Sequence, residues 1–228
     1  MGRSWFVLQH VAWEPAGLVA DAARARGVPL EVRRMDRGEV PPSIDEVEGL
    51  VSMGGPMGVR DVSALPFLAA ERALLAEAVR RDLPVLGICL GAQLLASSAG
   101  AAVAKGAAPE VGLGEVRLTD AGRDDPVLGP SGPVIAVVHW HEDTFEIPAG
   151  AARLAESALC RNQAFRLGRC AYGLQFHGEV DAALAGQWAE RLPPGIGLDD
   201  PGRGEVERAG RAILGRFLDR ALGRRSET

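Results

Sequence analysis

Short apolar runs alternate with helix-like segments through the first hundred residues, and this order constrains the fold more than any other feature. The strand-like runs span residues 4–10, 30–35, 48–58 and 83–90. The helix-like segments span residues 16–27, 65–82 and 92–100. Strands joined by helices run parallel, and the helices cover both faces of the sheet. The sequence therefore predicts an α/β fold with a central, mostly parallel sheet.

The pattern changes after residue 100, where strand-like runs follow one another with only turns between them. These runs span residues 113–120, 132–140, 162–168 and 170–180. Next come a helical segment at 181–192, a Pro/Gly-rich loop at 193–204 and an amphipathic helix at 205–225. We predict a mixed or antiparallel extension of the sheet. Because no linker or repeat interrupts the chain, we expect a single domain over residues 1–228.

Charge and composition argue against a nucleic-acid or membrane partner and indicate the cellular compartment. The net charge is −5 and no basic run is present, which argues against a nucleic-acid partner. Three cysteines in 228 residues do not make a disulfide scaffold and indicate a reducing compartment. No apolar run reaches transmembrane length, and residues 1–10 lack the apolar core of a signal peptide. We therefore expect a cytoplasmic protein without membrane contact.

The stretch "VLGICLGAQLLA", residues 85–96, places Cys89 between Gly87 and Gly91. A strand, a glycine-flanked turn and a helix together form a nucleophile elbow, which presents the turn residue above the sheet. The positive end of the following helix favours the thiolate. The alternative is a buried structural cysteine, the simplest interpretation of Cys160 and Cys170. The two glycines favour a nucleophilic role for Cys89.

A cysteine nucleophile needs a base, and "LQFHGEV" offers His177 with Glu179 two residues later. In extended chain, residues i and i+2 point the same way, so the carboxylate can orient the imidazole. A tetrahedral intermediate also needs donors for its oxyanion. The backbone N–H of Leu90 and that of Gly54 or Gly55 in "MGGPMG" are the candidates, because parallel strands gather their sites at the carboxyl edge.

Together, "GGPMG", "LGICLGAQLLA" and "LQFHGEV" resemble the class I, triad-type glutamine amidotransferases, in particular stand-alone proteins similar to the glutaminase domain of GMP synthetase. The resemblance covers most of residues 45–180. It implies a flavodoxin-like fold and hydrolysis of the γ-amide of glutamine, or of a related γ-glutamyl compound, through a cysteinyl thioester. The implied catalytic residues are Cys89, His177 and Glu179, and the implied oxyanion donors are Gly55 and Leu90. The implied substrate-binding residues are Gln93, Gly54, His141 and Asp143.

Two segments depart from the family pattern. The usual His-Pro-Glu is His-Gly-Glu here, with Gly178 in the middle. The Ser-His-x-Asp segment becomes "HWHEDTF", with Trp140 in place of serine. The pair His139 and His141 also suggests zinc, but the sequence shows no third ligand at a suitable spacing, so we expect no metal and no cofactor. His10 ends the first strand, at the same sheet edge, in a structural or a functional role.

The sequence leaves the fate of the released nitrogen open. No phosphate-binding loop or synthetase region is evident, so a separate ammonia-accepting synthetase is one possible partner. Hydrolysis of a γ-glutamyl small molecule for its own sake, as in a γ-glutamyl peptidase, is another. A binding or regulatory protein on the same scaffold is a third, and a cysteine peptidase on a similar sheet is a fourth.

Overall fold

The computed structural model describes residues 2–198 and 202–223, and regular elements follow one another through both ranges. In chain order these elements are β1 (Ser4–Gln9), α1 (Leu18–Arg24), β2 (Leu30–Arg34), β3 (Val47–Ser52), α2 (Phe67–Arg80), β4 (Val85–Ile88), α3 (Leu90–Ser98), β5 (Val103–Leu118), α4 (Asp120–Arg123), β6 (Val134–Phe145), β7 (Ala152–Glu156), β8 (Ala164–Leu167), β9 (Ala171–Leu174), α5 (Ala182–Ala189) and α6 (Gly202–Ala221). Among the described residues, no helix is both long and apolar enough to cross a bilayer.

The nine strands of the described residues form one sheet in the order β2-β1-β3-β4-β9-β8-β7-β5-β6. The pairs from β2 to β9 are parallel, and the pairs from β9 to β6 are antiparallel. The predicted α/β class, with a parallel sheet and an antiparallel extension, is therefore confirmed.

Alternate residues of β1 face opposite layers of helices. Trp5 and Val7 pack in the cluster that contains α1 and α6, whereas Phe6 and Leu8 pack with α2 and α3. Burial of both faces explains why the central strands are nearly continuous apolar runs. The predicted covering of both faces by helices is confirmed.

The antiparallel half differs most from the prediction. Strand β5 begins at Val103 rather than at residue 113, and β6 continues to Phe145. The early part of β5, "VAKGAAPE", has low strand propensity and becomes a strand because it pairs with β6. Strand β7 was not predicted, since "ARLAE" consists of good helix formers. Tertiary pairing overrides local preference in both places.

The boundaries of the last elements also differ from those predicted. The strand predicted for residues 170–180 is only Ala171–Leu174, and the final helix begins at Gly202 rather than at residue 205. Residues 199–201 of the predicted loop and residues 224–225 of the predicted helix lie outside the described residues. After β9 the chain leaves the sheet. His177 then forms an antiparallel bridge with Val138 of β6. The edge strand β6 therefore contacts the segment that follows β9.

Helix α6 packs directly on that segment, at a glycine. A Cβ on Gly210 would overlap the carbonyl oxygen of Gly178. We therefore expect Gly210→Ala to lower the free energy of unfolding by about 1–3 kcal/mol, because α6 must move away. The matched control is Gly186→Ala on α5, where a Cβ meets nothing within 4 Å. The control should gain roughly 0.5–1 kcal/mol from helix propensity. Urea denaturation measures both, and equal effects would contradict the close packing of α6.

Candidate active site

Cys89 occupies the sharp turn between β4 and α3. It is one of two non-glycine residues in the described chain with positive φ, at 50°. A Cβ on Gly91 would overlap the backbone of Ser52, and a Cβ on Gly87 would lie 2.5 Å from the Gly91 carbonyl oxygen. A side chain at either flanking glycine would therefore collide with neighbouring backbone. The strained backbone holds the thiol at the positive end of α3.

His177 and Glu179 form a buried pair just after β9. His177 Nδ1 lies 2.7 Å from Glu179 Oε1, and both side chains are almost fully inaccessible to solvent. Burial of the ring opposes protonation, but the Glu179 carboxylate and the Cys89 sulfur outweigh it and raise the pKa of His177 well above its ordinary value. His177 Nε2 is buried without a hydrogen-bond partner among the described residues. The ring is therefore oriented on one side and available on the other.

The glycine turn after β3 rests on a buried polar network. His10 Nδ1 lies 3.1 Å from the Gly54 carbonyl oxygen, and His10 Nε2 lies 2.9 Å from Glu71 Oε2. Ser52 donates to the other Glu71 oxygen at 2.6 Å. Burial opposes protonation of His10, but Glu71 outweighs it and raises the pKa of the ring. His10 thus links the glycine turn to α2 through Glu71. The role of Glu71 was not predicted from the sequence.

The two residues expected to donate to an oxyanion, Gly55 and Leu90, are neighbours in space. A Cβ on Gly55 would stand 3.1 Å from the Leu90 side chain. Leu90 is the first residue of α3, so its backbone N–H has no acceptor within the helix. Gly54 lies deeper, against the Glu14 carboxylate.

Two cavities meet at Cys89. The larger, of about 530 Å³, contains three of the four predicted substrate-binding residues, Gln93, His141 and Asp143. Gln93 donates to the Asp143 carbonyl at 3.3 Å and to Gln175 Oε1 at 3.2 Å. Gln175 in turn donates to Cys89 Sγ at 3.7 Å. The elbow and the larger cavity are therefore linked through a short polar chain.

The smaller cavity, of about 300 Å³, lies on the His177 side of Cys89. Its wall includes Trp13, Glu14, Trp140 and Arg191, none of which was predicted from the sequence to have a role in the site. Burial raises the pKa of the Glu14 carboxyl, against the attraction of His177. One signal could have revealed Glu14 and Trp13, because both follow the carboxyl end of β1. The others depend on contacts between distant segments.

The histidines of β6 meet a third polar residue. Antiparallel pairing sets Glu110 of β5 opposite His141, and Glu110 Oε2 lies 3.3 Å from His141 Nε2. Glu110, His139 and His141 form a buried cluster whose potential ligand atoms lie within 4.8 Å of one another. Burial lowers the pKa of His139, and it lowers the pKa of His141 to about 4. The expectation that no third ligand accompanies the two histidines was therefore wrong.

The three cysteines differ in their surroundings, which allows a labelling test. Burial raises the pKa of Cys160, and it raises the pKa of Cys170 to about 11. Both should remain thiols at neutral pH, whereas Cys89 borders both cavities. We expect brief treatment of the native protein with iodoacetamide to modify Cys89 alone, as read by peptide mass spectrometry. Equal modification of all three would count against an activated thiolate.

Several known proteins are similar to this chain in sequence. The model of the glutamine amidotransferase class-I family matches residues 16–189. The glutamine amidotransferase-like protein YfeJ of Salmonella typhimurium is 37% identical over 181 residues, which cover 78% of this chain and 75% of the relative. A subunit of the glutamine-hydrolyzing GMP synthase of Natronomonas pharaonis is 34% identical over 168 residues, which cover 73% of this chain and 83% of the relative.

A solved structure extends the likeness to nearly the whole chain. A glutamine amido transferase from Methylobacillus flagellatus superposes with a TM-score of 0.86 at 28% sequence identity. The superposition covers 96% of both chains. The sequence match over residues 16–189 and the shared fold lead to one conclusion: this chain belongs to the class-I glutamine amidotransferase family.

Proposed function

We propose that the protein hydrolyses the γ-amide of glutamine through a thioester on Cys89. The main support for this proposal is the buried His177–Glu179 pair. His177 Nε2 has no hydrogen-bond partner among the described residues. His177 and Cys89 both line the smaller cavity. The Cys89 sulfur attacks the γ-carbonyl carbon, and a C–S bond forms. The C–N bond then breaks as His177 gives its proton to the leaving nitrogen. Water, deprotonated by His177, cleaves the thioester to give glutamate and the free thiol.

Backbone N–H groups stabilise the oxyanion in this scheme. Leu90 contributes the first N–H of α3, and Gly55 contributes the second from the adjacent glycine turn. The two residues are neighbours in space, which supports this role. The His10–Glu71 network fixes the preceding carbonyl, that of Gly54, so the turn is preorganised before substrate binds.

The larger cavity suits the amino-acid end of glutamine. Arg60 and Lys105 offer positive charge for an α-carboxylate, while Asp61 and Asp143 offer negative charge for an α-ammonium group. Gln93 lines the same cavity beside the elbow. In this assignment His141 and Gly54 contribute to the shape of the site, as the family resemblance implies.

A second candidate reaction follows from the smaller cavity. With the glutamyl group in the larger cavity, the leaving group faces a space of about 300 Å³ bordered by Trp13 and Trp140. That volume and apolar wall favour an amine larger than ammonia, as in a γ-glutamyl amide. Alternatively, ammonia passes to a separate synthetase, as the match to a GMP synthase subunit suggests. A purely binding or regulatory role is the remaining alternative.

A release assay decides among these functions. Purified protein is supplied with glutamine, γ-glutamyl methylamide or γ-glutamyl anilide, and glutamate and amine are both measured. We expect equimolar release from at least one substrate. A higher kcat/KM for the anilide that falls in Trp13→Ala would favour the second candidate. No release from any substrate by folded protein that still labels at Cys89 would overturn the proposal and favour a binding role.

Gly178 separates the base from its orienting carboxylate. Its φ lies outside the positive range, and a Cβ there would meet only atoms at 3.8–3.9 Å. We therefore expect Gly178→Pro, the residue usual in the family, to stabilise the protein by about 0.4–1 kcal/mol through the unfolded state and to keep or raise turnover. The Tm and the hydrolysis rate measure this. A fall in both would mean that this chain has rebuilt the turn.

The architecture of the proposed enzyme follows the same family. We infer a single domain over residues 1–228, whose parallel half is flavodoxin-like. The strand order β2-β1-β3-β4-β9 supports that description, because it has the arrangement of a doubly wound sheet with its switch point between β1 and β3.

A further inference from the structure

The cluster on the β5–β6 hairpin has unmet bonding capacity that the proposed reaction does not use. His141 Nδ1 lies 3.1 Å from the Asp143 carbonyl oxygen, so this nitrogen holds the proton and the lone pair lies on Nε2. That nitrogen faces Glu110 Oε2 at 3.3 Å. Gln163 Nε2 lies 2.7 Å from Glu110 Oε2 and 3.4 Å from His141 Nε2, so the contact of this amide with His141 is long. A cation between the imidazole nitrogen and the carboxylate oxygen would bind both atoms at once.

His139 supplies a second free donor atom. A Cβ on Gly114 would stand 2.7 Å from His139 Cδ2 and 3.1 Å from Nε2, so this edge of the ring faces Gly114. His139 pairs with Gly112, and Gly114 and Glu110 lie on opposite sides of Gly112 along β5. Nδ1, on the opposite ring edge, therefore faces the Glu110 side. It is buried without a hydrogen-bond partner among the described residues.

We propose that Glu110, His139 and His141 form a binding site for a divalent transition-metal ion, of which zinc is the best chemical match. Two imidazoles and one carboxylate are a frequent zinc ligand set, with a fourth position for water. Tetrahedral ligands at bond lengths of about 2.0–2.1 Å stand roughly 3.3 Å apart, the spacing already present between His141 and Glu110. A modest rotation of the His139 ring completes the set.

Surrounding contacts resemble those that support metal ligands. Ser157 Oγ donates to Glu110 Oε1 at 2.7 Å, and Gln163 Nε2 donates to Glu110 Oε2 at 2.7 Å. The His141–Asp143 contact fixes the tautomer of the second ligand, as is usual around bound metals. A separate cavity of about 530 Å³ borders both Glu110 and His139, which provides an entry path from solvent.

The position of the site indicates a structural role. Trp140 lies between the two histidines, and its carbonyl oxygen is 3.7 Å from Cys89 Sγ. Val138, one residue before His139, is bridged to His177. An ion that joins β6 to β5 therefore fixes the strand that contacts both Cys89 and His177. The metal site does not depend on the proposed reaction.

Zinc titration of the full chain without an affinity tag tests the site. Cys89 is first alkylated so that its thiol cannot bind metal, and the protein is stripped with chelator. We expect calorimetry to show one equivalent of zinc bound and the Tm to rise on binding. Glu110→Gln and His139→Ala should each weaken binding by about tenfold or more. The matched control is Glu142→Gln, which removes the same charge from an exposed carboxylate beside His141. This variant should bind zinc as tightly as the parent protein does.

Cobalt(II) keeps the test decisive if a variant folds poorly. Bound cobalt should give visible bands typical of nitrogen and oxygen ligands, without the near-ultraviolet charge-transfer band of a thiolate. Zinc affinity that is equal in the parent and in folded Glu110→Gln would overturn the proposal. So would the absence of any binding by the parent protein, which would leave the Gln163 amide, in contact with both Glu110 and His141, as the account of the cluster.

Discussion

Cys89→Ser is expected to remove nearly all hydrolysis, a loss of roughly 10³-fold or more in kcat. The serine hydroxyl does not ionise at neutral pH and is a far weaker nucleophile than a thiolate. The fold should remain intact. Among the described residues, Cys89 Sγ forms weak hydrogen bonds at 3.7 Å with Trp140 and Gln175, and serine replaces sulfur by a smaller atom on the same strained backbone. Steady-state kinetics measure the loss, and circular dichroism and Tm verify the fold.

The matched control is Cys160→Ser, which changes another buried thiol by the same atom. Cys160 contacts Thr144 and Asn162, far along the chain from the elbow, and it lines neither of the two cavities that meet at Cys89. Its kcat should stay within about twofold of the parent value, allowing for small changes in packing. Residual activity in Cys89→Ser equal to that in Cys160→Ser would exclude a thioester on Cys89.

The parallel half of the fold could be predicted because each signal was local. Strands β1, β3 and β4 are buried on both faces, so their apolar runs are nearly continuous. The elbow was equally visible, because Gly87 and Gly91 stand at fixed offsets from Cys89. Close backbone approach, which excludes any larger residue there, makes those glycines obligatory.

The remaining parts depend on contacts between residues far apart in sequence. Glu110 joins His139 and His141 only because β5 and β6 pair in one register, through a strand segment of low strand propensity. Arg191 lines the smaller cavity and contacts Trp13, a residue near the other end of the chain. The His177–Glu179 contact was predicted for extended strand, yet β9 ends at Leu174 and the pair lies in irregular backbone.

Because this backbone is irregular, the role of the His177–Glu179 pair needs a direct test, which the pH dependence of the rate provides. His177→Ala should lower turnover by about 10²–10⁴-fold, since both proton transfers are lost. Glu179→Gln should cost less, because a base remains. Burial opposes protonation of His177, but the carboxylate outweighs it and raises the pKa well above the ordinary value, so the imidazolium that protonates the leaving nitrogen persists to higher pH than in a free imidazole.

The sign of the pH effect follows from that charge. The rate falls as pH rises through the raised pKa of His177, because the ring loses the proton it must donate. Glutamine at position 179 keeps the shape and removes the charge, so the pKa of His177 falls and the alkaline limb of kcat/KM moves to lower pH. Glu14→Gln is the control for a nearby buried carboxylate, whose attraction for His177 is not reinforced by a hydrogen bond. It should move the limb less. An alkaline limb unmoved in Glu179→Gln would reduce the triad to a Cys89–His177 pair and make Glu179 a structural residue that holds the start of α1 through its backbone carbonyl, which accepts from Leu18 N–H at 2.9 Å.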